Sequence, residues 1–388
     1  MDYKKINERS KCTSIGFKNG TSEFFAVIES DLSKSFPDAL TEMLRDFTQI
    51  LKVYELSENN IVFSRFYLSD IANQQIQLTP SALFTLLAQA PYSIIQQAPL
   101  GAGKISLLIY FVKSETMTMS TLSPNNWHTN GQLMGINYRQ YWSGNYTDSE
   151  RFDAHTQTSN IFSSYDKYLA SKEINLYDNV IRTWIYVRDI DNHYSGMVEA
   201  RKELFIKHGL TADTHYIAST GIEARLKDPQ NIVSMDALAV DGIVPEQIVQ
   251  MEALENLNPT HEYGVTFERG TKVIYGDREH YYISGTASID KNGEVVHLGD
   301  VVKQTKRTLD NIEALLRPHS ASLDDMAYLI VYLRNITQVA EVESILRERI
   351  GHDIPLVVVQ GSVCRPTWLI EIEGVGIRSA QSNFPDFA

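Results

Sequence analysis

The sequence predicts an α+β protein built from three copies of one β-β-α-β-α-β-β unit. Two observations predict it. The phrase Phe66-Tyr67-Leu68-Ser69-Asp70-Ile71 returns as Ile185-Tyr186-Val187-Arg188-Asp189-Ile190 and again as Val331-Tyr332-Leu333-Arg334-Asn335-Ile336. Each copy is a β-branched and aromatic run ending at Asp or Asn, and an amphipathic segment follows each. The same order of strand and helix patterns surrounds all three. Self-similarity at a long period marks one supersecondary unit used repeatedly.

In unit 1, strands are expected near Thr13–Lys18 and Glu23–Ile28, then a helix over Pro37–Tyr54 and the repeated strand Ile61–Leu68. A short helix near Pro80–Gln89 leads to strands Tyr92–Gln96 and Lys104–Val112. Unit 2 opens with a strand over Leu133–Trp142, a helix over Phe152–Ala170 and the repeated strand Asn179–Val187. A helix over Tyr194–Lys207 precedes closing strands His215–Ser219 and Ile232–Val240. Unit 3 starts with strands Thr271–Tyr275 and His280–Ser288, where Tyr282-Ile283-Ser284-Gly285 parallels Tyr141-Trp142-Ser143-Gly144. Asp290-Lys291-Asn292-Gly293 suits a turn with positive φ. Val301, Leu309, Ile312 and Leu316 give one apolar face to a helix over Asp300–Leu316. The repeated strand spans Leu323–Leu333, a second helix spans Val339–Ile350 and ends near Gly351, and Pro355–Gln360 and Thr367–Ile377 close the unit. Linkers are expected at Lys113–His128 and Asp241–Pro259, giving units at 1–115 (degenerate), 116–250 and 251–388.

Composition narrows the function classes. The 388 residues are 43% hydrophobic and 21% charged, an ordinary globular balance. No apolar run is long enough to span a bilayer, and Met1–Arg9 lacks a signal-peptide core, so no membrane association is expected. Cys12 and Cys364 are the only cysteines, which excludes a disulfide scaffold or a four-cysteine zinc site and points to a reducing cytoplasm. A net charge of −13 argues against nucleic acid as a partner while leaving room for a local basic pocket. The ten histidines show no metal-ligand spacing, and no metal or cofactor is expected. Gly101-Ala102-Gly103-Lys104 lacks the full phosphate-loop pattern and reads as a turn before a strand.

Unit 3 resembles the RidA/YjgF family. The matching residues are Tyr282-Ile283-Ser284-Gly285, Gly293-Glu294-Val295-Val296, Gln304, Asn311-Ile312, Ser322-Leu323-Asp324-Asp325, Val331-Tyr332-Leu333 and Glu371-Ile372-Glu373. The resemblance implies a trimer-type fold with ligand clefts between subunits, here imitated covalently. The chain is then a monomer, with dimer and trimer left open. The family's enamine/imine deaminases place an Arg just after a Pro at the penultimate strand. Here that stretch reads Ile354-Pro355-Leu356-Val357, and Tyr92-Ser93-Ile94 and His215-Tyr216-Ile217 also lack it. Leu and Val cannot make the bidentate carboxylate contact of a guanidinium.

Units 2 and 3 together resemble the chorismatase family. The matching stretches are Arg182-Thr183-Trp184-Ile185-Tyr186, Tyr194 with Arg201, Ser219-Thr220-Gly221-Ile222, and Val363-Cys364-Arg365 with Glu371. The resemblance implies cleavage of chorismate to pyruvate and a cyclohexadiene or hydroxybenzoate acid. It implies a small residue after Ile222, where Glu223 stands; a carboxylate there repels a dianion unless it points away.

The closing strands single out one cleft. Aligned by the repeat, Glu371 falls opposite Ser234 and Ser106, and Glu373 opposite Asp236 and Leu108. Residues two apart in a strand share a face, so only unit 3 presents both carboxylates together. Enol-ether hydrolysis needs a proton delivered to carbon, which a carboxylic acid of raised pKa can supply. The resemblance gives that role to Glu371; the alternative is a solvated or ion-paired strand Glu. Tyr194 and Arg201 lie two helical turns apart on one face, suited to a small carboxylate substrate. Gly221 and Cys364 are implied to shape the pocket, Cys364 without a nucleophile role. Arg182 and Arg365 are further candidates for the substrate carboxylates. A RidA-like deaminase and a noncatalytic small-molecule-binding protein of the same fold remain the alternatives. Gln157 and Gln304 occupy equivalent helix positions and read as structural.

Overall fold

A computed structural model describes residues 1–125, 128–150, 153–350 and 353–388. Unit 1 consists of β1 (Asp2–Asn7), β2 (Ser10–Gly16), β3 (Ser22–Glu29), α1 (Phe36–Tyr54), β4 (Ile61–Leu68), α2 (Ile71–Leu78), α3 (Ala82–Leu87), β5 (Tyr92–Gln96) and β6 (Ile105–Lys113). Unit 2 continues with β7 (Thr118–Asn125), β8 (His128–Met134), β9 (Arg139–Thr147), α4 (Ala154–Ala170), α5 (Leu176–Asn179), β10 (Val180–Val187), α6 (Ile190–Lys207), β11 (Ala218–Glu223) and β12 (Val233–Asp241). Unit 3 comprises β13 (Ile248–Gln250), β14 (Gly270–Ile274), β15 (Arg278–Ala287), α7 (Val301–Leu316), β16 (Met326–Leu333), α8 (Val339–Ile350), β17 (Leu356–Gln360) and β18 (Ile370–Ser379).

The three six-stranded sheets share one topology: β1-β2-β3-β6-β4-β5, β7-β8-β9-β12-β10-β11 and β13-β14-β15-β18-β16-β17. In each, the repeated strand pairs in parallel with the next strand and antiparallel with the closing strand. Every sheet carries one edge strand more than the sequence reading assigned. Two of these, β7 and β13, lie in the stretches expected to be linkers, and β13 pairs with β14 of unit 3. The single strand expected over Leu133–Trp142 is a hairpin: Gly135 N–H donates to Tyr138 C=O and splits it into β8 and β9. Phe152 and Gly351, expected at helix ends, lie outside the described residues.

Local signals account for the helices. Ser35 and Asp300 cap α1 and α7 by accepting from the N–H groups of Asp38 and Lys303, and Pro37 occupies the first turn of α1. Gln157 and Gln304 do the same work in two units: each accepts from backbone N–H groups near the start of the closing strand, Ile232 and Val233 for one, Leu369 for the other. The Asp290 turn closes as expected, with Gly293 at φ 77°.

Helices cover the outer face of each sheet, and the inner faces meet at the centre. There Phe63 packs on Trp142 and Phe25 on Tyr328 across unit boundaries. Two cyclic sets of polar contacts lock the arrangement. Gln96 N–H donates to Arg225 C=O at 2.8 Å, Glu223 N–H to Ser362 C=O at 3.1 Å, and Gln360 N–H to Ala98 C=O at 2.8 Å, so unit 1 bonds to 2, 2 to 3, and 3 to 1. Buried ion pairs run the same way: Arg65 to Asp236, Arg182 to Glu373 and Arg278 to Glu23. Breaking one partner of such a pair strands a buried charge, so these contacts fix how the units register.

Candidate active site

The repeated strand sets the geometry of each cleft. Tyr67, Tyr186 and Tyr332 are all buried and lie opposite Ser106, Ser234 and Glu371 on their closing strands. Arg65, Trp184 and Ile330 lie opposite Leu108, Asp236 and Glu373. The alignment read from the repeat is therefore the alignment of the fold.

Glu373 belongs to the scaffold. Tyr332 Oη donates to its Oε1 at 2.7 Å, while Arg182 Nη2 and Thr220 Oγ1 bond to its Oε2. Arg182 also reaches Thr220 Oγ1 at 2.5 Å and stacks over Trp184. The ion pair between units takes up the Arg182 guanidinium, and of the seven expected site residues Arg182 alone is not among those that line the cleft.

Glu371, two residues earlier, faces a cleft of about 200 Å³ between units 2 and 3. It is 5% exposed, and its Oε1 makes no hydrogen bond among the described residues. Burial, then the neighbouring Glu373 carboxylate, pushes its pKa up to about 8, against the opposing pull of Arg182 and Arg269. Two devices make room for it. A β-bulge places both Ser284 and Gly285 opposite Glu373, and a Cβ on Gly285 would collide with Glu371 Oε1. Gly285 N–H is held by Thr220 Oγ1 at 2.8 Å, and Ser219 N–H donates to Ser284 Oγ at 2.9 Å, joining the two units at the cleft.

The cleft gathers Tyr194, Arg201, Gly221, Cys364, Arg365 and Glu371, six of the seven site residues expected from sequence. The Arg201 guanidinium is 1% exposed, positioned by Thr266 Oγ1 at 3.2 Å and Ser219 Oγ at 3.4 Å. A Cβ on Gly221 would press on the Tyr194 ring at 3.1 Å and Met197 at 3.3 Å, so glycine lets α6 approach β11. Burial and then Glu371 push the Cys364 thiol up to about 12, which keeps it protonated and fits pocket lining. Arg365 lies over the Trp368 ring and donates to Gly293 C=O at 2.9 Å. Glu223 does not line this cleft; it turns to another cavity, where the three units converge.

Sequence reasoning missed Arg269. It lines the cleft, is 7% exposed, and is anchored by Asn258 C=O at 3.0 Å and by the Phe267 ring. The signal was present. Gly270 pairs with Ile283 as Gly131 pairs with Trp142, so Arg269 stands where unit 2 has Asn130. Merging β8 and β9 into one strand hid that equivalence. Arg201, Arg269 and Arg365 thus line the same cleft as the Glu371 carboxyl group. The arrangement can hold a small dianion and deliver one proton.

Three units of one topology fused in one chain, with Glu371 in a cleft between the second and third, define the class of fold to which the comparisons belong. The family described as Endoribonuclease L-PSP matches residues 272–377. The 3-aminoacrylate deaminase RutC of Acinetobacter baylyi is 32% identical over 95 residues, which cover 24% of this chain and 75% of that protein. The chain belongs to this RidA/YjgF family. A 3-hydroxybenzoate synthase of Streptomyces hygroscopicus is 29% identical over 222 residues, 51% of this chain. The chain spans 64% of that synthase, just under two thirds of its length. The crystal structure of a chorismatase superposes with a TM-score of 0.64 and 20% identity over 82% of this chain and 93% of its own, which establishes the shared fold. Among the described residues no helix is long and apolar enough to cross a membrane.

Proposed function

We propose that the cleft between units 2 and 3 cleaves the enol ether of chorismate, or of a similar dicarboxylate, releasing pyruvate and a cyclohexadiene or hydroxybenzoate acid. The observation that carries this reading is Glu371: a carboxyl group with its pKa at about 8, held without a partner on Oε1 inside a cleft of three arginines. An acid that is protonated at neutral pH and faces the substrate suits proton transfer to carbon. Glu371 protonates the methylene carbon of the enol ether and leaves an oxocarbenium ion. Water adds to that ion, and the hemiketal breaks to pyruvate and the ring hydroxyl, which gives the cyclohexadiene diol acid; loss of one water from the ring is needed in addition to give the hydroxybenzoate. Glu371 is then reprotonated from solvent. Arg201, Arg269 and Arg365 bind the two carboxylates, and the nearby cations ease formation of the Glu371 carboxylate as the proton leaves. The substrate is a small carboxylate. The hydrogen-bond ring and the ion pairs close the trimer-like assembly within one chain, which supports a monomer as the working form.

A second reading has its own support: the 32% identity of 95 residues of this chain to a 3-aminoacrylate deaminase. That chemistry needs a guanidinium for the substrate carboxylate, and Arg269 supplies one from a position other than the family's usual strand. Assay of the purified chain separates the two. Pyruvate release from chorismate supports the first reading. Ammonia release from 3-aminoacrylate, with none of the former, replaces it with the second.

A further inference from the structure

The cyclic hydrogen bonds of Gln96, Glu223 and Gln360 ring a cavity of about 220 Å³ where all three units converge. These residues are equivalent: each pairs with the last residue of its unit's repeated strand, Leu68, Val187 and Leu333. Two positions on, Ala98, Arg225 and Ser362 are likewise equivalent, each accepting the ring hydrogen bond. Units 1 and 3 therefore contribute only neutral side chains at these positions. Unit 2 departs from the repeat at both and places a carboxylate and a guanidinium in the lining. Among the described residues the Glu223 and Arg225 side chains pair neither with each other nor with any other charge. A third group points the same way. Gln97 is 2% exposed, and its amide Nε2 donates to Glu223 C=O at 2.7 Å, yet its Oε1 accepts no hydrogen bond. A buried amide oxygen without a donor costs about 1–3 kcal/mol, which a ligand carrying N–H groups relieves.

We propose that this cavity is an effector site for a small zwitterion of the α-amino-acid class. Gln97 Oε1 and Glu223 take its ammonium group, and Arg225 takes its carboxylate. The site is wired to the active cleft by two short segments bridged at Ile222 and Val363. In one, Gly221 lines the cleft and Glu223 the axial cavity; in the other, Cys364 lines the cleft and Ser362 the cavity. A ligand that draws Glu223 and the ring inward shifts the wall formed by Gly221 and Cys364. The coupling half of this proposal rests on the cleft being the substrate site; the binding half does not.

Calorimetric titration of the full chain tests it. L-serine is expected to bind, with acetate and ethylamine each at least about tenfold weaker, because each lacks one charge. Glu223→Gln and Arg225→Gln each weaken serine by about tenfold or more, and Glu371→Gln leaves it unchanged. Saturating serine shifts the affinity for 3-hydroxybenzoate, used as a probe of the cleft, and 3-hydroxybenzoate shifts serine affinity by the same factor. No heat from serine at tens of millimolar, equal binding of acetate, or unaltered binding in both charge variants overturns the site. Serine binding that leaves 3-hydroxybenzoate affinity unchanged overturns the effector role. Failure of 3-hydroxybenzoate to bind at all counts against the reading of the cleft and leaves the serine result standing.

Discussion

The cleft between units 2 and 3 and its counterpart between units 1 and 2 share a frame and differ in two features. Both carry a bulge opposite the inner acidic residue: Ser284 and Gly285 face Glu373, and Gly144 and Asn145 face Asp236. Both tie that acid to an arginine of the preceding unit. In the unit 1–2 junction, however, Ser234 stands where Glu371 does. Asn145, at φ 56°, fills the position beyond the glycine and stitches the junction shut. Its Oδ1 accepts from Ile94 N–H at 3.1 Å and its Nδ2 donates to Tyr92 C=O at 3.3 Å, while Thr129 Oγ1 donates to the same carbonyl. The bulge and the ion pair therefore belong to assembly. The acid and the space around it are what the proposed chemistry uses, and of these two junctions the one between units 2 and 3 has both.

Substitutions at matched positions separate those roles. Glu371→Gln is expected to lower turnover by about 10²–10⁴-fold with folding intact, the usual range for a lost general acid. Ser234→Ala, its counterpart, leaves turnover unchanged. Loss of turnover in both variants breaks the claim that one cleft is active. The ion pairs give the opposite pattern. Arg65→Met and Arg182→Met each destabilise the chain by about 3–5 kcal/mol, because each leaves a buried carboxylate unpaired. Denaturant unfolding that shows a loss at one junction alone contradicts the shared assembly role. Gly285→Ala pushes Glu371 aside and costs about 10² in kcat/KM, in line with an ångström-scale misplacement of a reacting group. The raised pKa of Glu371 also has a consequence for stability. The folded pKa of Glu371, about 8, lies above the unfolded value, so the folded chain retains a proton that the unfolded chain releases. Stability then falls as pH rises from the unfolded value through about 8. Thermal unfolding of Glu371→Gln gains on wild type across that window, and a constant difference between the two counts against the raised pKa.

The parts of this comparison that sequence made legible are those where apolar runs are continuous. The repeated strand Ile61–Leu68, strand Tyr92–Gln96 and helix Val339–Ile350 fall where the pattern put them, because each is a dense hydrophobic or amphipathic run. The leading strand of each sheet escaped notice for the converse reason. Asp2–Asn7 is an edge strand of mostly polar residues, and Ile248–Gln250 is three residues long. Neither buries a face that would leave a period-two signal. Glu371 was legible because it departs from a repeat. Arg269 departs from the same repeat, but an equivalence broken by the Gly135 turn concealed it. The pairing of Arg182 with a residue 191 positions away leaves no local trace in the sequence.

The central claim is that Glu371 holds a proton at neutral pH and gives it to the substrate. Its most direct test is the pH dependence of pyruvate release from chorismate under single-turnover conditions. The rate is expected to be level at neutral pH and to fall about tenfold per unit above about 8 as Glu371 ionises. A rate that stays level well above that value, or an alkaline fall that survives in Glu371→Gln, contradicts it.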